Sequence, residues 1–292
     1  MTSADQHTCL SPHGDPHGHR RSHDDSGQAE ILDLDAEVLA EHIASITAWL
    51  PLENEPRRIV DLGCGTGAGT FALLERFPEA HVTAVDASAG HLRLLNEKAR
   101  ARGMREQVRT VQADLDSSHW PDLGTPDLVW ASASMHHMAD PGRALTSVHG
   151  LLAPRGLFAV VELAGFPRFL PADAPEERPG LEERAHAAAD RFHAEHVPHR
   201  GADWGPMLTA AGFTVVGERT ISVNIEGGRS EAIGRYAYGG LQRIRGAVAS
   251  VLGPDDLAAL DELLDTDSPH SVLRREDLAL RTERTVWAAR RA

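Results

Sequence analysis

The chain has 292 residues, 41% of them hydrophobic and 25% charged, which is the size of one large α/β domain or two small ones with an ordinary soluble composition. A formal net charge of −14 argues against a phosphate backbone or an anionic membrane surface as the main partner, because both reward clustered positive charge. The two cysteines, Cys9 and Cys64, make no disulfide framework, no apolar run reaches the roughly 18 residues of a membrane span, and no apolar leader is present, so the expected compartment is the cytoplasm.

Residues 1–28 are rich in His, Asp, Ser, Gly and Pro and nearly devoid of large apolar side chains, a composition that cannot offset the entropy of ordering. A disordered tail is predicted there, and its His13, His17, His19 and His23 lack the fixed scaffold of a specific metal site. Residues 29–292 are read as one domain, with a core over 57–163, an insertion over 164–202 and a helical, edge-strand part over 203–292. From Ala29 to Leu50 the apolar positions recur at helical spacing until Pro51. Strands are predicted at Arg58 to Leu62, His81 to Asp86, Gln107 to Gln112, Leu128 to Ala131 and Leu157 to Leu163, alternating with helices at Ala68 to Phe77, Ala89 to Arg102 and Gly142 to Leu152. Such alternation implies parallel strands joined by right-handed crossovers, hence a doubly wound α/β sheet with its ligand site beyond the carboxyl ends of the strands.

Prolines interrupt the alternation from Ala164, and a helix is expected over Leu181 to His196, where Glu182, His186, Asp190 and His193 form one stripe that a metal or substrate would fit, or that solvent simply covers. After it come a helix near Trp204 to Ala211, a sixth strand at Phe213 to Val223, helices at Ser230 to Val251 and Asp255 to Leu264, and a seventh strand at Thr285 to Ala289.

The chemistry concentrates behind the first strand, where the chain reads Asp61-Leu62-Gly63-Cys64-Gly65-Thr66-Gly67. Glycines on alternate positions let the backbone turn sharply and lie against a ligand, and the helix opening at Ala68 offers unpaired N–H groups to an anion. Asp86, at the second strand tip, is placed to accept hydrogen bonds from both hydroxyls of a ribose. Gly63 to Ala68 also fits a dinucleotide fingerprint, so the glycines alone do not exclude a nicotinamide enzyme. Asp61 separates the two: a carboxylate there repels a pyrophosphate and favours the ammonium of an amino-acid ligand.

With these residues the segment resembles the class I S-adenosylmethionine-dependent methyltransferases, whose first motif is an acid followed by Gly-x-Gly-x-Gly and whose second is an acid ending strand two. The resemblance covers 57–163 and, more loosely, the sixth and seventh strands. It implies a Rossmann-like, seven-stranded, mostly parallel sheet with an antiparallel edge strand, and S-adenosylmethionine as cofactor, contacted by Asp61, Gly63, Cys64, Gly65, Gly67, Asp86, Ala87 and Ala131. It also implies that Asp114 meets the adenine amino group and Leu115 the ring. Ala131-Ser132-Ala133-Ser134-Met135-His136-His137-Met138 resembles the strand-four motif of small-molecule members, so His136 and His137 are candidate bases or pocket-shaping residues. The Asn/Asp-Pro-Pro-Tyr motif of enzymes acting on adenine or amide nitrogen is missing, which argues against nucleic acid as substrate. Glu162, at the fifth strand tip, either lines the pocket or bonds to loop backbone. The expected activity is methyl transfer to O, N or C of a small-molecule acceptor, without a metal; the sequence leaves the acceptor and the oligomeric state open. A nicotinamide-dependent oxidoreductase and a catalytically silent cofactor-binding relative are the rivals.

Overall fold

The computed structural model describes residues 18–197, 199–228 and 230–291. A seven-stranded sheet runs through its centre: β1 (Arg58–Leu62), β2 (His81–Asp86), β3 (Val108–Gln112), β4 (Leu128–Ser132), β5 (Leu157–Leu163), β6 (Phe213–Glu226) and β7 (Ala279–Arg291). Its order is β3-β2-β1-β4-β5-β7-β6, with all pairs parallel except those made by β7, which is antiparallel to both β5 and β6. The antiparallel strand thus sits one place in from the edge, and β6 is the edge itself. The strand order reverses between β1 and β4, which opens a crevice above their carboxyl ends.

The helices are α1 (Gly18–Val38), α2 (Ala40–Trp49), α3 (Ala68–Arg76), α4 (Ala89–Ala101), α5 (Pro141–Leu151), α6 (Leu181–His196), α7 (Trp204–Ala210), α8 (Glu231–Ala247) and α9 (Pro254–Leu264). β1, β4 and β5 read as nearly continuous apolar runs because helices cover both faces of the sheet. Leu62, Leu73, Val85, Leu95, Leu128, Phe158 and Trp204 are fully or almost fully enclosed, each such large side chain contributing roughly 1.5–3 kcal/mol by leaving water. No helix among the described residues is long and apolar enough to cross a membrane.

Three expectations change. Residues 18–28, expected to belong to a disordered tail, are the first turns of α1; once Ala29 and Leu34 pack the second half of that helix into the core, extending it N-terminally needs only propagation rather than a new nucleus. The single helix expected over 29–50 is two, broken at Leu39, whose backbone (φ −100°, ψ 12°) leaves helical geometry while its side chain stays buried. β7 is much longer than Thr285 to Ala289, because it pairs along its whole length with β6, and its outer residues are held by partners rather than by an apolar pattern of their own. His13 and His17 lie outside the described residues, as do the side chains of His19, His23 and His193.

Candidate active site

The turn after β1 is built from three glycines with positive φ: 67° at Gly63, 53° at Gly65 and 100° at Gly67. A Cβ on Gly63 would stand 2.4 Å from the Cβ of Ser134, and one on Gly67 would stand 2.7 Å from the ring of Phe71, so both close approaches need glycine. The loop is fastened to the neighbouring strand through the N–H groups of Gly63 and Cys64, which donate to the carbonyl of Val85 at 2.8 and 3.0 Å. It therefore lies flat over the crevice.

Asp86 closes the other side. Its Oδ2 accepts from the Gly65 N–H at 2.9 Å and its Oδ1 from the Ser88 N–H at 2.8 Å, with Nδ1 of His91 3.4 Å away. Burial pushes this carboxyl up, but the bonds from His91, Ser88 and Gly65 outweigh burial and hold it below the usual carboxylate range. Asp86 is an anion with lone pairs to spare. Asp61 is different: 2% exposed, it accepts from Oγ1 of Thr70 at 2.7 Å and from the Thr70 backbone, and burial, aided by the charge of Asp86, outweighs these bonds and lifts it to about 7. Such a buried acid is poised to be ionised by an incoming cation.

A cavity of about 320 Å³ joins these groups. Asp61, Gly63, Gly65, Asp86, Leu115, His137 and Met138 are among the residues that line it. Its roof is α1, held down from several directions. Asp33 receives the hydroxyl of Thr66 at 2.5 Å and the ammonium of Lys98; Asp35 accepts from Nη2 of Arg284 at 2.6 and 2.7 Å and from the Tyr236 hydroxyl at 2.6 Å.

The loop after β4 hangs on one buried carboxylate. Oε1 of Glu162 accepts from the N–H groups of Ser134, Met135 and His136 at 3.2, 2.8 and 3.3 Å, and Oε2 lies 2.5 Å from Nδ1 of His136. Glu162 is 2% and His136 3% exposed, so this pair fixes the loop from below and leaves the next residue, His137, on the cavity wall. Burial, reinforced by the charges of His136 and Arg200, depresses His137 to about 4, which makes it a neutral imidazole at pH 7.

A family described as methyltransferase domain matches residues 59–156. This stretch is a class I methyltransferase domain. A trans-aconitate 2-methyltransferase of Methylobacterium radiotolerans is 39% identical to the chain over 117 residues, covering 40% of this chain and 42% of that protein. A demethylmenaquinone methyltransferase of Thermus thermophilus is 37% identical over 119 residues, covering 41% and 53% respectively. The chain thus matches about half, or less, of the length of these curated relatives. Among solved structures, a Bacillus halodurans protein provisionally described as a methyltransferase superposes with a TM-score of 0.53 at 16% identity, covering 85% of this chain and 98% of that one. YcgJ of Bacillus subtilis gives 0.51 at 17% identity, covering 86% and 98%. These two likenesses concern the fold.

Within the methyltransferase domain, Asp61, Gly63, Cys64, Gly65, Asp86, Ala87, Asp114, Leu115 and His137 all reach the cavity wall. Gly67, Ala131 and His136 stand behind it. Gly67 starts α3, Ala131 is wholly buried in β4 while Ser132 and Ala133 line the wall in its place, and His136 is engaged by Glu162. Glu162 bonds to the loop backbone, the second of its two expected uses. Glu182 likewise serves backbone, accepting from the N–H groups of Phe169 and Leu170, and no group of three metal-ligating side chains occurs among the described residues. Sequence reasoning missed the contributions of Leu32 and Asp35 in α1, Trp130 in β4 and Arg284 in β7. Only the motif spacing around β1, β2 and β4 carried a signal; the roof and the β7 residue reach the cavity through tertiary packing.

Proposed function

We propose that the protein transfers a methyl group from S-adenosylmethionine to a small-molecule acceptor in the cavity above β1 and β4. The observation that supports this most is the pairing, in one cavity, of an ionised Asp86 beside a glycine cradle with a buried Asp61 whose charge lacks a counter-ion. Asp86 would hold the ribose hydroxyls with its remaining lone pairs, Asp61 the ammonium, and Leu115 a face of the adenine, with Asp114 at its edge. Side chains at Gly63 and Gly67 would collide with Ser134 and Phe71, so the turn keeps a bare backbone beside the cavity.

The cofactor supplies an electrophilic methyl on a sulfonium. The protein's share is alignment and exclusion of water, and correct placement of two reactants is worth on the order of 7 to 11 kcal/mol. His137, neutral and on the wall beside Met138, accepts a hydrogen bond from the acceptor rather than acting as a strong base. Several matched relatives are trans-aconitate 2-methyltransferases, which makes a carboxylic acid the first acceptor to try. Calorimetric titration with S-adenosylmethionine, S-adenosylhomocysteine and NADH tests the reading. Binding of the first two and not the third is expected; failure of both sulfur compounds to bind would overturn it.

A further inference from the structure

Asp61 in β1 and Trp130 in β4 are paired across neighbouring strands, so their side chains leave the sheet side by side, on the face that α3 covers. Both line the cavity. α3 meets them at Gly69, where a Cβ would stand 2.6 Å from Nε1 of Trp130 and 3.2 Å from Oδ2 of Asp61. An indole N–H and a carboxylate thus converge on one point under the first turn of the helix. Yet they are not bonded. Nε1 of Trp130 is enclosed and has no hydrogen-bond partner among the described residues. The enclosed N–H groups of Trp204 and Trp287 are also unbonded, but neither residue lines the cavity.

An unused donor beside Asp61 follows from the state of that acid. Without ligand, burial favours the neutral carboxyl, and Thr70 supplies it with two hydrogen bonds, from its hydroxyl and its backbone. A neutral carboxyl carries an O–H of its own, whereas an ionised one is acceptor-only, with about four lone-pair sites to fill. The charged and titratable groups around it offer no further donor. Asp86 of β2 repels its charge, the Cys64 thiol is directed at the Gly65 carbonyl, and β4 carries no titratable side chain. Arg284 of β7 and Asp35 of α1, on the same cavity wall, are bonded to each other. Of Asp61 and Trp130 the acid is the one free to adjust, since its terminal torsion is broad while the indole is packed in the core.

We propose that Trp130 is a positioning residue for the ammonium end of the cofactor: when the ammonium draws Asp61 into its ionised form, the indole N–H becomes a donor to that carboxylate. Asp61 is then held between Thr70, the indole and the bound cation. This rests on the methyltransferase reading and deepens it, giving a use to a β4 residue that no motif marks. A hydrogen bond to an ionised acceptor in an enclosed site is roughly twice as strong as one between neutral groups, so the donor matters most once the ligand is in place.

The test compares wild type, Trp130→Phe, Asp61→Asn and the double variant at pH 8, each titrated with S-adenosylhomocysteine and with 5′-methylthioadenosine, which keeps the nucleoside and thioether but has no amino-acid tail. Trp130→Phe should weaken S-adenosylhomocysteine by roughly tenfold to a hundredfold and leave 5′-methylthioadenosine unchanged. In the Asp61→Asn background the same substitution should cost no more than about twofold, because the two residues act as a unit. Equal affinity of wild type and Trp130→Phe for S-adenosylhomocysteine, an equal loss for both ligands, or the full loss in the Asp61→Asn background overturns the proposal and leaves the methyltransferase reading standing. Should Trp130→Phe fail to fold, the wild type labelled with ¹⁵N-tryptophan answers by itself. One of its five indole N–H signals should move downfield on saturation with S-adenosylhomocysteine and not with 5′-methylthioadenosine; indole signals that do not distinguish the two ligands overturn the proposal. A wild type that does not bind S-adenosylhomocysteine overturns both.

Discussion

Nδ1 of His136 lies 2.5 Å from Oε2 of Glu162, and the other oxygen of that carboxylate holds three successive backbone N–H groups of the loop after β4. One enclosed side chain at the tip of β5 thereby sets the position of a loop that carries the wall residues His137 and Met138. Replacing Glu162 by Gln keeps an acceptor for the backbone but presents an amide where His136 needs a carboxylate. The variant should lose about 1–3 kcal/mol of stability, read from denaturant unfolding, together with a fall in turnover that exceeds any change in cofactor affinity.

Asp61 predicts how cofactor binding depends on pH. Its pKa of about 7 without ligand lies well above the ordinary 3.8, so the folded protein holds a proton there that the unfolded chain has released. The stability this group confers is therefore complete below about 3.8 and is lost as pH rises through 7. A bound ammonium reverses the preference by favouring the carboxylate. Affinity for S-adenosylmethionine should rise as pH passes from 6 to 8, with proton release near pH 7 visible as a buffer-dependent calorimetric enthalpy. Asp61→Asn should abolish that release and weaken binding, yet stabilise the ligand-free protein at pH 8 by on the order of 2 kcal/mol.

Asp86 should behave otherwise, being ionised throughout the neutral range. Asp86→Ala removes the acceptor for Gly65 and Ser88 as well as the ribose contacts proposed for it. Charge-assisted bonds of this kind contribute about 1.5–3 kcal/mol each, so affinity for S-adenosylhomocysteine should drop at least tenfold. Undiminished affinity would remove Asp86 from the ribose.

His137 should leave no mark on the pH–rate profile between 6 and 8, because its pKa near 4 lies outside that window. A base so far below the working pH accepts protons poorly, and His137→Gln should cost no more than roughly tenfold in kcat. A loss of a thousandfold would restore it to the role of essential base.

The roof helix offers a kinetic test. Tyr236→Phe removes one of the bonds that hold Asp35, and with it part of the clamp between α1 and α8. Global stability should change by about 1 kcal/mol. Dissociation of S-adenosylhomocysteine, followed by stopped flow, should quicken by severalfold.

The sequence made the strand and loop chemistry readable because that part of the site is local. The three glycines, Asp61 and Asp86 all sit within or beside elements whose period and punctuation are strong, and β1, β2 and β5 begin and end where the apolar runs do. Residues that reach the site from far along the chain were not readable. Arg284 lines the cavity only because β7 pairs with β5, placing it opposite Leu163, and Asp35 does so only because α1 folds back over the glycine loop. Neither position has a distinctive neighbourhood in the chain. His136 and His137 look equivalent in sequence; Glu162, on a different strand, is what turns one inward and leaves the other on the wall.

β7 is synthesised after β6 yet lies between β6 and β5 in the sheet. As the polypeptide emerges from the ribosome, β5 has no lateral neighbour on that side, and β6 has none at all, until residues 279–291 are available to zip into the gap. Two open edges are a hazard for intermolecular pairing during that interval. Arg284 takes its place on the cavity wall only once β7 has paired with β5, so the wall of the cavity is accordingly among the last parts of the structure to be completed.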